Sequence, residues 1–158
     1  MKDPDAILPE RALERLAALC ARAEYCEDDI RRKLNAMLMP DNDSDRIVAA
    51  LRRDGYIDDA RYCRAFANEK WELNHWGKTR IRSELRYRHL MEDDIDHALA
   101  EIDMEEYRKE LGKLLRAKVR TIKAESLQER YQKLLRYAAS RGFEPEVTRD
   151  VIEADPEL

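Results

Sequence analysis

The sequence predicts an all-α protein assembled from three tandem three-helix modules, and three observations carry that expectation. Only 4 of 158 residues are Gly and 5 are Pro, too little turn chemistry for a hairpin-rich sheet protein. The chain is instead rich in Ala, Leu, Arg, Glu and Lys, which lose little on entering a helix. Apolar residues recur at helical spacing almost throughout, and equivalent apolar positions are displaced by a near-constant number close to fifty.

The first apolar face runs through Leu13, Leu16, Ala17, Cys20 and Ala23, the second through Ile30, Leu34, Met37 and Leu38, and the third through Ile47, Ala50 and Leu51. Pro40 with Asp41, Asn42 and Asp43 separates the second from the third, and Gly55 ends the third. Asp58-Asp59 then suits a helix start, where unpaired N–H groups and the macrodipole favour negative charge. That helix carries Tyr62, Ala65, Phe66 and Leu73 up to the Trp76-Gly77 break. A helix with Ile81 and Leu85 follows, then one opened by Glu92, Asp93 and Asp94 and carrying Ile95, Ala98, Leu99 and Ile102. The pattern repeats after Asp103 with a long helix through Tyr107, Leu111, Leu114, Leu115 and Val119, in which Gly112 is the odd residue. Ser126 with Glu129 forms a capping-box pattern for an eighth helix through Tyr131, Leu134, Leu135 and Ala138, stopped by Gly142. Pro145 fits the first turn of a ninth, with Val147, Val151 and Ile152.

Subtraction sets the register. Ile30 to Ile81 and Leu34 to Leu85 are both 51, while Ile47 to Ile95 and Leu51 to Leu99 are both 48, a difference assigned to the Pro40 loop. Leu90 to Phe143, Ala98 to Val151 and Leu99 to Ile152 are all 53. Thr148 opposite Ile95 and Ala138 opposite Leu85 suggest that the third module packs somewhat differently. The expected organisation is an N-terminal extension over 1–10, modules over 11–57, 58–102 and 103–154, and a tail over 155–158. A single compact body of this mass would expose about 8,000 Å².

No apolar run approaches the roughly 20 residues that span a bilayer, and Met1 to Asp5 lacks a signal peptide's apolar stretch, so the expected location is the cytoplasm. The chain contains no sustained heptad seam, which points to a monomer. Cys20, Cys26 and Cys63 form no C-x-x-C pair and do not cluster with His75, His89 or His97, so buried or half-buried thiols are expected rather than a metal or redox site. Phosphate-loop, nucleophile-elbow and zinc-protease motifs are absent, and no cofactor is implied. Glu92, Asp93, Asp94 and Asp96 have the chemistry for a divalent ion, but their place at a helix start explains them without one. Tyr62, Trp71 and Trp76 suit packing better than base stacking. The composition describes a binding protein, not an enzyme.

Charge carries the functional expectation. The net charge of −4 hides a block over 91–106 with eight acids and no Lys or Arg, followed by one over 108–141 with eleven bases and three acids. Such faces are often simply solvated, but Lys109, Lys113, Arg116 and Arg120 lie 4, 3 and 4 apart and make one helical stripe, as do Lys78, Arg82 and Arg86. Both suit a polyanion or an acidic protein surface, and charge alone does not choose between them.

The stretch Asp54-Gly55-Tyr56-Ile57-Asp58-Asp59-Ala60-Arg61-Tyr62, with Phe66 and then Gly77-Lys78-Thr79-Arg80-Ile81-Arg82-Ser83-Glu84-Leu85, resembles the RecX family of RecA regulators. Leu19 to Leu34 looks like that family's first repeat and Arg141-Gly142-Phe143 like the R-G-F near its end, so the resemblance runs from about residue 11 to residue 153. Cys26 stands where a serine cap is common, and His89-Leu90 replaces a usual glycine and isoleucine. The resemblance implies an elongated, curved arrangement of three tandem three-helix modules. It also implies binding in the groove of the RecA nucleoprotein filament and restraint of filament growth, ATP hydrolysis, strand exchange and LexA cleavage. The two stripes are the expected contacts with the filament or its DNA, single- or double-stranded. Asp58, Asp59, Arg61 and Tyr62 are expected to be structural, Asp58 as a cap and Arg61 and Tyr62 as ties between the first two modules. Two other readings stay open: direct nucleic-acid binding without RecA, and a helical adaptor unrelated to RecA.

Overall fold

The computed structural model describes residues 6–158. Half of the expected N-terminal extension, and with it the signal-peptide reading of Met1 to Asp5, lies outside the described residues. Among the described residues the chain forms nine α-helices and no strand: α1 (Pro9–Cys20), α2 (Glu27–Ala36), α3 (Asp41–Arg53), α4 (Asp59–Glu72), α5 (Lys78–Tyr87), α6 (Glu92–Ala100), α7 (Met104–Val119), α8 (Leu127–Ser140) and α9 (Pro145–Ala154). The principal helix pairings stay within modules: α3 holds α1 and α2, α4 to α6 pack mutually, and so do α7 to α9. The chain exposes 10431 Å², well above the roughly 8,000 Å² of a compact body of its mass, as bundles set in a row require.

Local chemistry sets the helix ends. Asp58, Asp103 and Ser126 accept hydrogen bonds from N–H groups in the first turns of α4, α7 and α8. Pro9 and Pro145 sit in the first turns of α1 and α9. α2 and α6 open with three acids each, which complement the positive end of the dipole. The middle helix of every module stops at a left-handed residue, Leu38 (φ 57°), His89 (φ 63°) and Gly142 (φ 92°), placed 51 and 53 apart. The next residue is buried each time: Met39, Leu90 and Phe143.

These landmarks correct the register of the third helix in the first module. α3 and α6 begin after Pro40 and Met91, 51 apart. The buried residues of α3 (Ser44, Ile47, Val48 and Leu51) therefore match Ile95, Ala98, Leu99 and Ile102 at the same offset. No extra loop is present, and the 48-residue alignment arose because a three-residue slip returns nearly to the same helix face. Four other residues leave their expected faces: Leu38 is 83% exposed at its turn, Leu73 is 75% exposed just beyond α4, and Ala23, beyond the end of α1, and Ala65, on the outer side of α4, are exposed too. Thr148 and Ala138 remain buried despite their changed chemistry, the Thr148 hydroxyl donating to the Glu144 carbonyl at 2.9 Å.

The core is divided unequally. Leu16, Ile30, Leu34, Ile47 and Leu51 make one cluster inside the first module. A second runs without a break from Tyr62, Phe66 and Leu85 to Tyr107, Leu134 and Phe143, so the second and third modules share one apolar interior. Trp71 bridges them, its ring centroid 5.0 Å from Tyr107 and 6.4 Å from Phe143. Cys26 is the first module's contribution to that larger core.

Both junctions bring the start of one middle helix against the end of the next. At the second, the Gly77 and Thr79 N–H groups donate to the carbonyls of Arg141 (2.8 Å) and Gly142 (3.0 Å), and the Lys78 N–H donates to the Tyr107 hydroxyl at 2.9 Å. α5 has no side-chain cap because the third module satisfies its free N–H groups. A Cβ on Gly77 would lie 2.2 Å from the Gly142 carbonyl, and one on Gly142 would lie 2.3 Å from Arg80 Cβ. At the first junction, Cys26 and His89 occupy the corresponding positions, and side chains take over. Arg88 donates to Asp29 at 3.2 Å, and His89 Nδ1 lies 2.7 Å from Asp28 Oδ2.

Gly77→Ala should destabilise the protein by about 1–3 kcal/mol through overpacking at this backbone contact. Calorimetry should show Tm falling by roughly 2–4 °C per kcal/mol, with far-UV circular dichroism below the transition unchanged.

Candidate binding surface

At about 100° per residue, Lys109, Lys113, Arg116 and Arg120 fall on the side of α7 opposite Tyr107, Leu111 and Leu115, which are buried. All four are exposed, so the expected stripe exists as one outward face. Three have carboxylate neighbours: Lys109 lies 3.9 Å from Glu106, Lys113 3.0 Å from Glu110, and Arg116 2.8 Å from Asp155. These are surface pairs of small net value, open to exchange with a partner's charges.

The second stripe is placed differently. Arg82 donates to Glu92 (3.0 Å) and Asp96 (2.6 Å), and Arg86 also pairs with Glu92, so both are folded onto the acidic start of α6. Arg86 in turn holds the Glu92 carboxyl below its ordinary range. Lys78 is half-buried at the second junction with its ammonium 5.5 Å from the Tyr107 ring centroid, and burial pushes its pKa down. Tyr107 faces away from the α7 stripe, so Lys78 does not extend it.

The signature residues lie at the first junction. Asp58 accepts from the Arg61 N–H at 2.9 Å and Asp59 from Arg52 at 3.3 Å. Arg61 Nε donates to Glu24 at 2.6 Å while its fork reaches the Gly55 carbonyl at 3.0 Å, tying α4 to the connection before α2 and to the turn after α3. Tyr62 is buried beside Phe66, and burial pushes its pKa up. Arg52 also bonds Glu27, which accepts from Arg31, so one network of ion pairs joins α2, α3 and α4.

Other groups offer little chemistry. Cys26 and Cys63 are buried and Cys20 half-buried; burial, with Asp94 and Asp59 adding to it, pushes Cys63 up to about 12, so it is a thiol and not a nucleophile at neutral pH. Among the described residues no group of three or more His, Cys, Asp or Glu is arranged to hold a metal, and no helix is long and apolar enough to cross a membrane. Residue spacing alone did not single out a hollow of about 520 Å³ where α7 meets α8, whose wall includes Lys118, Ile122, Lys123, Lys133, Arg136 and Tyr137. Its cations were visible only as part of the basic block, because two helices and their connection contribute them and no single helical period does.

The model of the second three-helix domain of RecX matches residues 58–99, and that of the third matches residues 105–152. The chain belongs to the RecX family. A regulatory protein RecX of Leuconostoc mesenteroides is 27% identical over 124 residues, covering 78% of this chain and 46% of that protein. One from Escherichia coli is 30% identical over 105 residues, covering 60% of this chain and 63% of that protein. The chain thus spans about half to two thirds of the length of these RecX relatives. A crystal structure of regulatory protein RecX superposes with a TM-score of 0.79 at 26% identity, over 92% of this chain and 71% of that one. RecX from Lactobacillus salivarius superposes at 0.82 over 92% of this chain and 95% of that one, and at 12% identity it speaks for the fold alone.

Asp58→Ala should lower stability by about 1 kcal/mol, the usual value of an N-cap, with the loss read in urea unfolding. Glu27 supports a pH prediction. Burial opposes its ionisation, but the hydrogen bonds from Arg31 and Arg52 outweigh burial and hold its carboxyl low. Its contribution is therefore present above the unfolded carboxylate pKa of about 4.3 and is lost as pH falls through the lower folded value. Melting curves between neutral pH and that range should show a shallower acid-side fall in Tm for Glu27→Gln than for the unaltered protein.

Proposed function

We propose that the protein binds the RecA nucleoprotein filament as a monomer in the cytoplasm, lies along the filament groove, and restrains ATP hydrolysis, strand exchange and LexA cleavage. Membership of a family of regulatory proteins carries this reading. The architecture supports it: three bundles in a row present a long surface, which suits a partner that is itself a repeating polymer. In this reading Lys109, Lys113, Arg116 and Arg120 meet acidic filament surface or filament-bound DNA, exchanging their weak pairs with Glu106, Glu110 and Asp155 for the partner's charges. Lys78, Arg82 and Arg86 form a secondary contact, reached only by opening the ties of both arginines to Glu92.

The DNA-dependent ATPase of RecA, measured with and without the protein, should slow in its presence; an unchanged rate overturns the reading. Changing Lys109, Lys113, Arg116 and Arg120 together to Glu should relieve that inhibition while helical content is retained. Inhibition that survives the change removes the stripe from the interface.

A further inference from the structure

The third cation of the α7 stripe is held differently from its neighbours. Lys109 and Lys113 pair with Glu106 and Glu110, three residues back on α7 itself, whereas Arg116 bonds Asp155, 39 positions on and just beyond α9. The Arg116 guanidinium is folded back along α7 over Gly112, 3.4 Å from where a Cβ on that glycine would stand. Asp155 is fixed in its turn: its carboxylate accepts from the Glu157 N–H at 2.9 Å, and its carbonyl accepts from the Leu158 N–H at 3.0 Å.

Residues 155–158 thereby form a short strap across the third module. Its far end is clipped by Arg130 of α8, which donates to the Glu157 carbonyl at 2.8 Å, and by Leu158, half-buried against the larger core. A hollow of about 770 Å³ opens between strap and stripe, with Arg108, Lys109 and Arg116 on one wall and Asp150, Asp155 and Glu157 on the other. The acids of α9 and the strap thus face the stripe as the anionic groups of a partner would. α9 has no base in its last turn, and a nearby cation would ordinarily serve its dipole. The hydrogen bond of Arg116 goes instead to the Asp155 carboxylate.

The strap is also lightly held. Arg116 is half-exposed in its pair with Asp155, and Arg130 Nε is buried with no hydrogen-bond partner among the described residues, so the clip leaves one donor unsatisfied. Such a segment lifts at small cost and closes again readily, because a tethered group returns at high effective concentration.

We propose that the strap is an autoinhibitory contact: Asp155 occupies Arg116 in place of a partner's anionic group, and the third module binds at full strength only when residues 155–158 lift. This inference rests on the reading that the α7 stripe meets the filament. It adds a resting state in which one of the four cations is withheld, which lowers apparent affinity by the fraction of molecules that are closed.

The test measures, with the full chain, the concentration that half-inhibits the DNA-dependent ATPase of RecA. Asp155→Asn keeps an acceptor for the Glu157 N–H and removes the charge; it should lower that concentration about two- to fivefold, the amount a surface pair of small net value withholds. Leu158→Ser, which frees the far end without changing charge, should shift it in the same direction. Glu14→Gln on the exposed side of α1 changes net charge as much as Asp155→Asn does and should leave it unchanged. With Arg116→Gln already in place, Asp155→Asn should bring no further gain. A strap that only stabilised the third module would move both variants the other way, since a loosened module inhibits less, and Tm would fall with it. The proposal is overturned if the unaltered protein inhibits and either strap variant leaves the concentration unchanged or raises it. An equal gain from Glu14→Gln, or a gain from Asp155→Asn that persists without Arg116, overturns it too. Failure of the filament reading gives a different result: neither the unaltered protein nor any variant slows the ATPase, and both readings then fall together.

Discussion

The arrangement of this molecule depends on one close contact, the meeting of Gly77 with Gly142 at the second junction. A helix start has N–H groups with no partner inside the helix, and a helix end has carbonyls in the same state. Here the two needs satisfy each other across modules, with Arg141 and Gly142 accepting from Gly77 and Thr79. The contact is possible only where neither residue has a Cβ, since either would collide with backbone or with Arg80. Once the backbones meet, Trp71, Tyr107 and Phe143 close over the contact, and two modules come to share one core. The family motifs around Gly77 and Arg141-Gly142-Phe143 therefore have a common physical purpose, although 64 residues separate the two glycines.

The first junction uses the same geometry with different chemistry. Cys26 and His89 have side chains where the other junction has glycines, so polar groups at the surface replace direct backbone pairing. Partly solvated polar contacts such as Arg88 with Asp29 contribute less than buried apolar contact, and their ionic part weakens with salt. The first module is thus held by charge, by the Arg61 tie and by the buried Cys26, while the other two are fused through their interiors.

Much of the fold was legible in the sequence. Nine apolar faces, the caps at Asp58 and Ser126 and the left-handed stop at Gly142 depend on local spacing and backbone chemistry, which a linear reading captures. The reading erred where two registers bury the same helix face, in α3, and where a turn residue was counted with a helix, at Leu38. The candidate surface was less legible. The run of acids beside a run of bases is real in the sequence, yet Arg82 and Arg86 close onto Glu92 and Asp96 within one module. The four cations of the α7–α8 hollow share no single helical period and so had no signature of their own.

By itself, then, the sequence determined the helices, their grouping in threes and the outward stripe on α7, because each follows from the 3.6-residue turn and from a repeated spacing. Tertiary structure alone decided which charges are free, which modules share a core and what the glycines are for. Those properties depend on which residues meet across long stretches of chain, as Gly77 meets Gly142 and Lys78 meets Tyr107, 29 positions away. A helical period records the face on which a residue lies. It carries no information about what that face will touch.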